Sequence, residues 1–305
     1  MAVAVVLLLD VAVLGTDGYL LTHRSTTTAV DLRSALVTFR GSGAGGEAKA
    51  AASDGTGPVA TVTTGSTGTT ASSAPTVTAT ASTPVTTHTP SVAEPTTAVD
   101  DVAPPAEGVY AYRTAGGESI SVLAAHHDYP AETYAAVRHT GGCGWRIHAA
   151  VVQEHVDERT ICSGAGAVAQ LSQTRNVTFF GTTDGGTFTC APPAVQAATT
   201  DAAGDRAEAD CGDGKGSNAH LVRTTLGRGT AVVGGVTVAV IRIRIDGTIT
   251  GRIRGTSMDL LTLVAGTGLP VRWQRSVDTL ADAFGSTVRY QEQAQFDLVS
   301  LAPTT

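Results

Sequence analysis

Histidine and aspartate are ordinary metal ligands and proton carriers. In this chain of 305 residues, five of the eight histidines fall between His126 and His155. The run HHDYP, His126 to Pro130, is the densest polar cluster, with His139, His148 and His155 on neighbouring runs. If the run is a strand, consecutive side chains point to opposite faces, so at most one of His126 and His127 can join a given site. The plainer reading is a turn in which Asp128-Tyr129-Pro130 starts a strand. No metal and no cofactor is therefore expected.

Other catalytic signatures are missing. There is no G-x-S-x-G elbow and no H-E-x-x-H pair. The run CGDGKGSN, Cys211 to Asn218, imitates a phosphate loop but does not fit G-x-x-x-x-G-K-[ST], and it reads as an exposed loop. Asn176-Val177-Thr178 matches a glycosylation sequon, a pattern short enough to arise by chance. The chain is expected not to be an enzyme. A wall or glycan hydrolase would need distant His and carboxylate groups to converge in a cleft.

Arginine offers a different chemistry, planar recognition of oxyanions. The run IRIRIDGTITGRIRG, Ile241 to Gly255, reads as a hairpin turning at Asp246-Gly247. A two-residue loop there would pair Ile243 with Thr250 and send the two isoleucine sets to opposite faces. One further loop residue pairs Ile245 with Ile249 and Ile241 with Ile253. Ile241, Ile243, Ile245, Ile249 and Ile253 then share one face, and Arg242, Arg244, Arg252 and Arg254 crowd the other. That second face is a candidate for an anionic partner such as phosphate head groups or wall polyanions. The alternative is a solvated face neutralised by acidic neighbours.

The four cysteines, Cys143, Cys162, Cys190 and Cys211, form no C-x-x-C pair. An even count downstream of a hydrophobic N-terminus reads as two disulfides. Each of Cys143–Cys162 and Cys190–Cys211 brackets an excursion of about twenty residues. Hairpin-like returns bring their own ends within bonding reach. The expected pairs are Cys143 with Cys162 and Cys190 with Cys211.

Four segments must position these residues. Residues 1–24 are apolar enough for a single transmembrane anchor. Asp10 costs about 2.5–3.5 kcal/mol on insertion, and nine Leu or Val residues from Val3 to Leu14 each return roughly 0.3–0.6. A secretory signal peptide is the rival reading, although a basic n-region is missing. Residues 25–40 carry Val30, Leu32, Ala35, Leu36 and Phe39 at near-helical spacing, with Thr28 or Asp31 able to cap and Gly41 able to stop a short juxtamembrane helix. Residues 41–105 are rich in Thr, Ser, Pro and Gly and are expected to be a disordered linker. As a coil this linker would span about 45 Å, enough to act as a stalk. Residues 106–302 show short β-rich runs broken by turn residues, an extracytoplasmic β-domain.

Within that domain, Gly116-Gly117, Gly234-Gly235 and Asp246-Gly247 read as hairpin turns. SVDTLADAF, Ser276 to Phe284, fits a helix or one arm of a hairpin. TVRYQEQAQFDLVSL alternates, with Val288, Tyr290, Ala294, Phe296 and Leu298 on one face. The expected fold is mainly β, an antiparallel curved sheet or half-open barrel behind one N-terminal helix and the linker.

The order of YLLTHRSTT and ALVTFR, the threonine tract and EGVYAYRTAGGESISV resembles uncharacterised stalked envelope proteins of actinobacteria. That likeness implies a place in the envelope and no particular activity. The closing GLPVRWQRS and its long amphipathic strand are similar to the end of lipoprotein-carrier-like domains of the LolA and LppX type. Those are half-open barrels that hold acyl chains, although this chain has no lipobox cysteine and no clear plugging helices. This second likeness implies an apolar, lipid-like ligand on a concave face. A net charge of −7 argues against nucleic acid as a partner. The partners expected are the cytoplasmic membrane, through the N-terminal helix, and a lipid or an envelope protein. The location expected is a single-pass membrane protein with its C-terminal domain outside the cytoplasm. The competing reading is a structural or interaction module with a filled core.

Overall fold

Alternating β-branched and polar residues dictate strands here, and turn residues break the chain before helices can grow. The computed structural model describes residues 27–41, 101–122, 125–283 and 286–305. The expected anchor, 1–24, and nearly all of the expected linker lie outside these residues. Among the described residues no helix is long and apolar enough to cross a membrane.

One short helix, α1 (Leu32–Gly41), precedes thirteen strands. These are β1 (Gly108–Ile120), β2 (Ala125–Asp128), β3 (Glu132–Gly141), β4 (Gly144–Val152), β5 (His155–Gly164), β6 (Ala167–Phe179) and β7 (Thr182–Ala198). They continue as β8 (Arg206–Gly212), β9 (Ser217–Val233), β10 (Val236–Gly251), β11 (Ile253–Val264), β12 (Pro270–Ala283) and β13 (Ser286–Leu298). All join one antiparallel sheet in sequence order, except that β1 lies between β2 and β3 on one side and β13 on the other. The β1–β13 pairing, from Tyr112–Leu298 to Ile120–Tyr290, closes the sheet into a ring. The narrowest join is β7–β8, where the register pairs only Thr189 with Gly212 and Cys190 with Cys211.

That join carries a disulfide between Cys190 and Cys211. The other disulfide joins Cys143, just before β4, to Cys162 on β5. Both pairs are those read from the sequence.

Three glycine signals looked alike in the sequence, and only one is a turn. Gly234-Gly235 joins β9 to β10, both residues with positive φ. Gly116-Gly117 lies inside β1, and Asp246-Gly247 lies inside β10. At Gly116 a Cβ would fall on the Gln293 carbonyl of β13, and at Gly247 on the Ser257 hydroxyl of β11. These glycines permit close approach between strands rather than chain reversal. The expected Arg hairpin with a loop at Asp246 is therefore corrected. β10 runs straight through to Gly251, and the reversal comes at Arg252. The five isoleucines keep a common face through plain alternation. The described part of SVDTLADAF, Ser276 to Ala283, resolves as strand within β12.

The lumen carries the apolar core. Trp145, Tyr110, Ile161, Ile243, Leu261 and Leu263 are among the most deeply buried side chains of a single apolar cluster. Outward positions on β10, β12 and β13 carry Arg244, Asp246, Arg272, Asp278, Arg289 and Gln295, a face suited to water.

Helix α1 packs on this barrel. Asp31 caps it by accepting from the Ser34 amide at 2.7 Å. Val30 and Ala35 pack with Val109 of β1, and Arg138 of β3 lies 3.9 Å from the centre of the Phe39 ring. Gln153 donates its backbone N–H to the Thr28 carbonyl, and the Arg40 guanidinium bonds the Thr305 carbonyl. The chain re-enters at Val102, which is buried, with the Ala103 amide bonded to Gly266. Both flanks of the threonine-rich tract thus rest on the same barrel. The expected stalk itself, residues 42–100, lies outside the described residues.

Candidate functional site

Two arrangements could carry function: a charged belt inside the barrel and an arginine-lined pocket on its outside. The belt starts from strand alternation. Glu118 on β1 lies in register with Glu292 of β13 on one side and His127 of β2 on the other. Glu118 Oε1 is 2.7 Å from His127 Nδ1, and Oε2 is 2.7 Å from His155 Nδ1. The Tyr290 hydroxyl donates to Glu118 Oε2 at 2.6 Å, and the Tyr129 hydroxyl to Glu292 Oε1 at 3.0 Å. Arg175 of β6 closes the cluster on Glu292 and the Tyr290 hydroxyl. The His127 ring stacks on Phe179 with centroids 4.2 Å apart.

A second cluster adjoins the first. Arg275 bonds Asp157 and donates through Nε to Asp259 Oδ1 at 2.9 Å. Arg159 reaches Asp259 Oδ2 at 3.0 Å, and the Trp273 indole donates to Oδ1 at 2.9 Å. Both guanidinium groups lie over the Trp273 ring, at 4.3 and 4.5 Å. The pairs tie β5 and β6 to β1, β11, β12 and β13 across the lumen.

Burial alone would push these carboxyl pKa values up. At Glu118 the His127 and His155 bonds outweigh burial and hold the group well below the usual range. At Asp157 the Arg275 and Arg159 charges outweigh it and bring the value down to about 2. Asp259 is held low by the same two arginines. The side chains of Glu118, His127 and His155 are at most 1% exposed, so no substrate reaches them. Among the described residues no group of three His, Cys, Asp or Glu side chains could hold a metal. Chemically, the belt is a set of struts.

The outer pocket is open, with a volume of about 660 Å³. Strand register builds its cationic wall: Arg113 of β1 lies beside Asp297 of β13, then Arg272 of β12, Thr262 of β11 and Arg242 of β10. Four strand spacings make this row about 19 Å long. Arg272 is paired with Asp297 at 2.5 Å. Among the described residues Arg113 and Arg242 have no ion pair or side-chain hydrogen bond, although both line the pocket. Glu132 of β3 is in register with Arg113, but its carboxylate takes the Tyr134 hydroxyl. Val233, Val240, Val271 and Leu298, all buried members of the core cluster, also border it.

The residues singled out in the sequence are dispersed. Arg244 pairs with Asp246 at 2.7 Å, Arg254 with Asp282 at 3.3 Å, and Arg252 stands 3.9 Å from Asp184 and Asp213. That is the neutralised face, and Arg242 alone of the four joins the pocket. His126 points outward to Asp128, His139 to the Pro105 carbonyl and His148 to Glu158. Sequence reasoning missed Arg113 and Arg272, whose alignment depends on strand register. It also missed Glu118 and Glu292. The one available signal was a charged residue, Glu292, at an inward position of an alternating strand.

No family model and no curated protein sequence matches this chain. A solved structure from Parabacteroides distasonis ATCC 8503, named a "putative lipoprotein", aligns with 65% of this chain and 96% of its own. The identity is 9% and the TM-score 0.27, too low to transfer anything.

Proposed function

We propose that this chain is a cell-envelope recognition module without catalytic activity, held at the membrane by residues 1–24. In this reading its barrel binds through the outer face rather than carrying cargo in the lumen. The observation that carries this is the contrast between the two arrangements. The lumen is occupied by packed apolar side chains and by ion pairs joining opposite walls, while the outer pocket is lined by three arginines, of which only Arg272 is in an ion pair among the described residues. An acyl chain in the lumen would have to displace Trp145, Leu261 or Leu263 and strand the buried charges, which is costly.

The test is native mass spectrometry of the full chain released from detergent. The bare polypeptide mass is expected for a variant carrying R113Q and R242Q. A lipid retained one-to-one by that variant would place cargo elsewhere than the pocket and overturn the filled-lumen reading. A purely structural module is the second reading, favoured by the same struts. It requires that changes at Arg113 and Arg242 leave all envelope interactions intact.

A further inference from the structure

We propose that the outer pocket takes an extended peptide of another protein, added as a strand to the free edge of β9 and carrying two carboxylates about six residues apart. This deepens the recognition-module reading and rests on it.

The strand edge is the first observation. β8 pairs with β9 only over Asn218 to Thr224. Beyond that, Gly229 to Val233 has β10 on one side and, among the described residues, no strand on the other. Native sheets blunt such edges with charge, proline or a covering element. Two stretches left unpaired at the β7–β8 join follow that rule, with Pro192 and Pro193 on β7 and Arg206, Glu208 and Asp210 on β8. Gly229-Thr230-Ala231-Val232-Val233 has neither charge nor proline. Val232 is 70% exposed, and Val236 across the turn is 54% exposed. An edge in this state is a template for another strand.

The pocket lies along that edge. All five residues line it, but Val236 to Ala239, the β10 partners of Thr230 to Val233, do not. The pocket is therefore on the open side of β9. Gly229 pairs with Val240 of β10, and a Cβ at Gly234 would stand 3.2 Å from the Val299 carbonyl, just past β13. The edge thus runs from β10 across to the end of β13, alongside the row from Arg242 to Arg113.

The charges of the row fix the kind of peptide. Arg242 and Arg113 stand at its two ends, about 19 Å apart. Among the described residues neither has an ion pair, while Arg272 between them is matched by Asp297. A small head group cannot span that distance, but a strand can. Its alternate side chains share a face, and residues six apart stand about 20 Å from each other. The fitting segment has a carboxylate at each end and no charge between. A glycan or polyphosphate lacks the alternating N–H and C=O groups that a strand edge pairs with. A second copy would bring the same five edge residues, none of them acidic, and leave both arginines unmatched.

The proposal is tested by fluorescence anisotropy of labelled peptides on the full chain in nanodiscs of zwitterionic phospholipid. The peptide EVTVTVE is expected to bind. EVTVE, whose carboxylates are about 13 Å apart, and KVTVTVK are expected to bind at least tenfold more weakly. The R113Q/R242Q variant should weaken EVTVTVE at least tenfold, because two charge-assisted contacts are lost. Neither side chain has an ion pair among the described residues, so the variant should melt with the wild type. N-methylating the alternate amides on one edge of EVTVTVE should abolish binding, and on the other edge leave it unchanged, since only one edge meets β9. Absence of EVTVTVE binding, equal binding to wild type and variant, or equal effects of the two methylations overturns the proposal. So does a dimer of the chain in detergent, seen by sedimentation, that EVTVTVE dissociates, because the edge would then belong to a second copy. None of these outcomes concerns the lumen, which the retained-lipid measurement addresses separately.

Discussion

At the scale of single residues, the barrel is a place where charges were buried and then matched. Arg275 shows the consequence, because it serves both Asp157 and Asp259. Changing Arg275 to Ala should cost about 3–5 kcal/mol, measured as the shift in urea unfolding, since two carboxylates lose their partner in the lumen. A loss below about 1 kcal/mol would mean that water enters the belt freely. The same groups set the acid response. Glu118, Asp157 and Asp259 all have folded pKa values below their unfolded ones. Stability from a depressed carboxylate is fully present above the unfolded pKa and is lost as pH falls through the folded one. The protein should therefore hold its stability down to about pH 5 and lose it between pH 4 and 2. For Asp157, moving from 3.8 to about 2, the share is about 2 kcal/mol. Urea midpoints for wild type and D157N, compared from pH 7 to pH 2.5, should converge on acidification. Parallel curves would show that Asp157 does not titrate as described.

Elements are positioned by contacts from far along the chain, and α1 illustrates this. Its apolar stripe of Val30, Ala35 and Phe39 was legible in the sequence, but the face it covers, with Val109, Tyr134 and Ala136, was not. A protein beginning at residue 106 loses that cover. It should be less stable than one beginning at residue 27 by roughly 3 kcal/mol, about one to two buried Val side chains. Equal thermal melting of the two would show that the helix contributes little. The β7–β8 join is the other exposed weakness, since two register pairs and one disulfide hold it. Replacing Cys190 and Cys211 with Ser should cost about 3 kcal/mol and raise amide exchange in β7 and β8 before other strands. Uniform exchange across the sheet would argue that the join is held by its neighbours instead.

For the whole molecule, the decisive feature is that α1 and the segment at Val102 dock on one barrel. If residues 1–24 cross the membrane, only a few residues separate the bilayer from Thr28, whose carbonyl is already bonded to the barrel. The barrel then stands next to the membrane, and in sequence the threonine-rich tract joins two segments that both dock on it. Protease added to intact cells should cut within 42–100, yet leave fragments that remain together until the fold is denatured. Release of the 106–305 portion without denaturant would instead support the stalk reading. Protection of every site until the membrane is opened would instead reverse the proposed orientation.

What the sequence determined by itself was local and periodic. Alternation in TVRYQEQAQFDLVSL placed Ala294, Phe296 and Leu298 inward, Gly234-Gly235 made a turn, Asp31 made a cap, and the spacing of the cysteines paired them. Each of these depends on neighbours in sequence or on one hairpin-like return. Ring closure, the function of Gly116 and Gly247, the partners of Glu118 and Glu292, and the row from Arg113 to Arg242 were decided by tertiary structure alone. They rest on register between strands, in some cases more than a hundred residues apart. A one-residue slip in any of those pairings would turn the side chains to the opposite face. A residue's type announces that it needs a partner, and only the closed sheet determines which partner it meets.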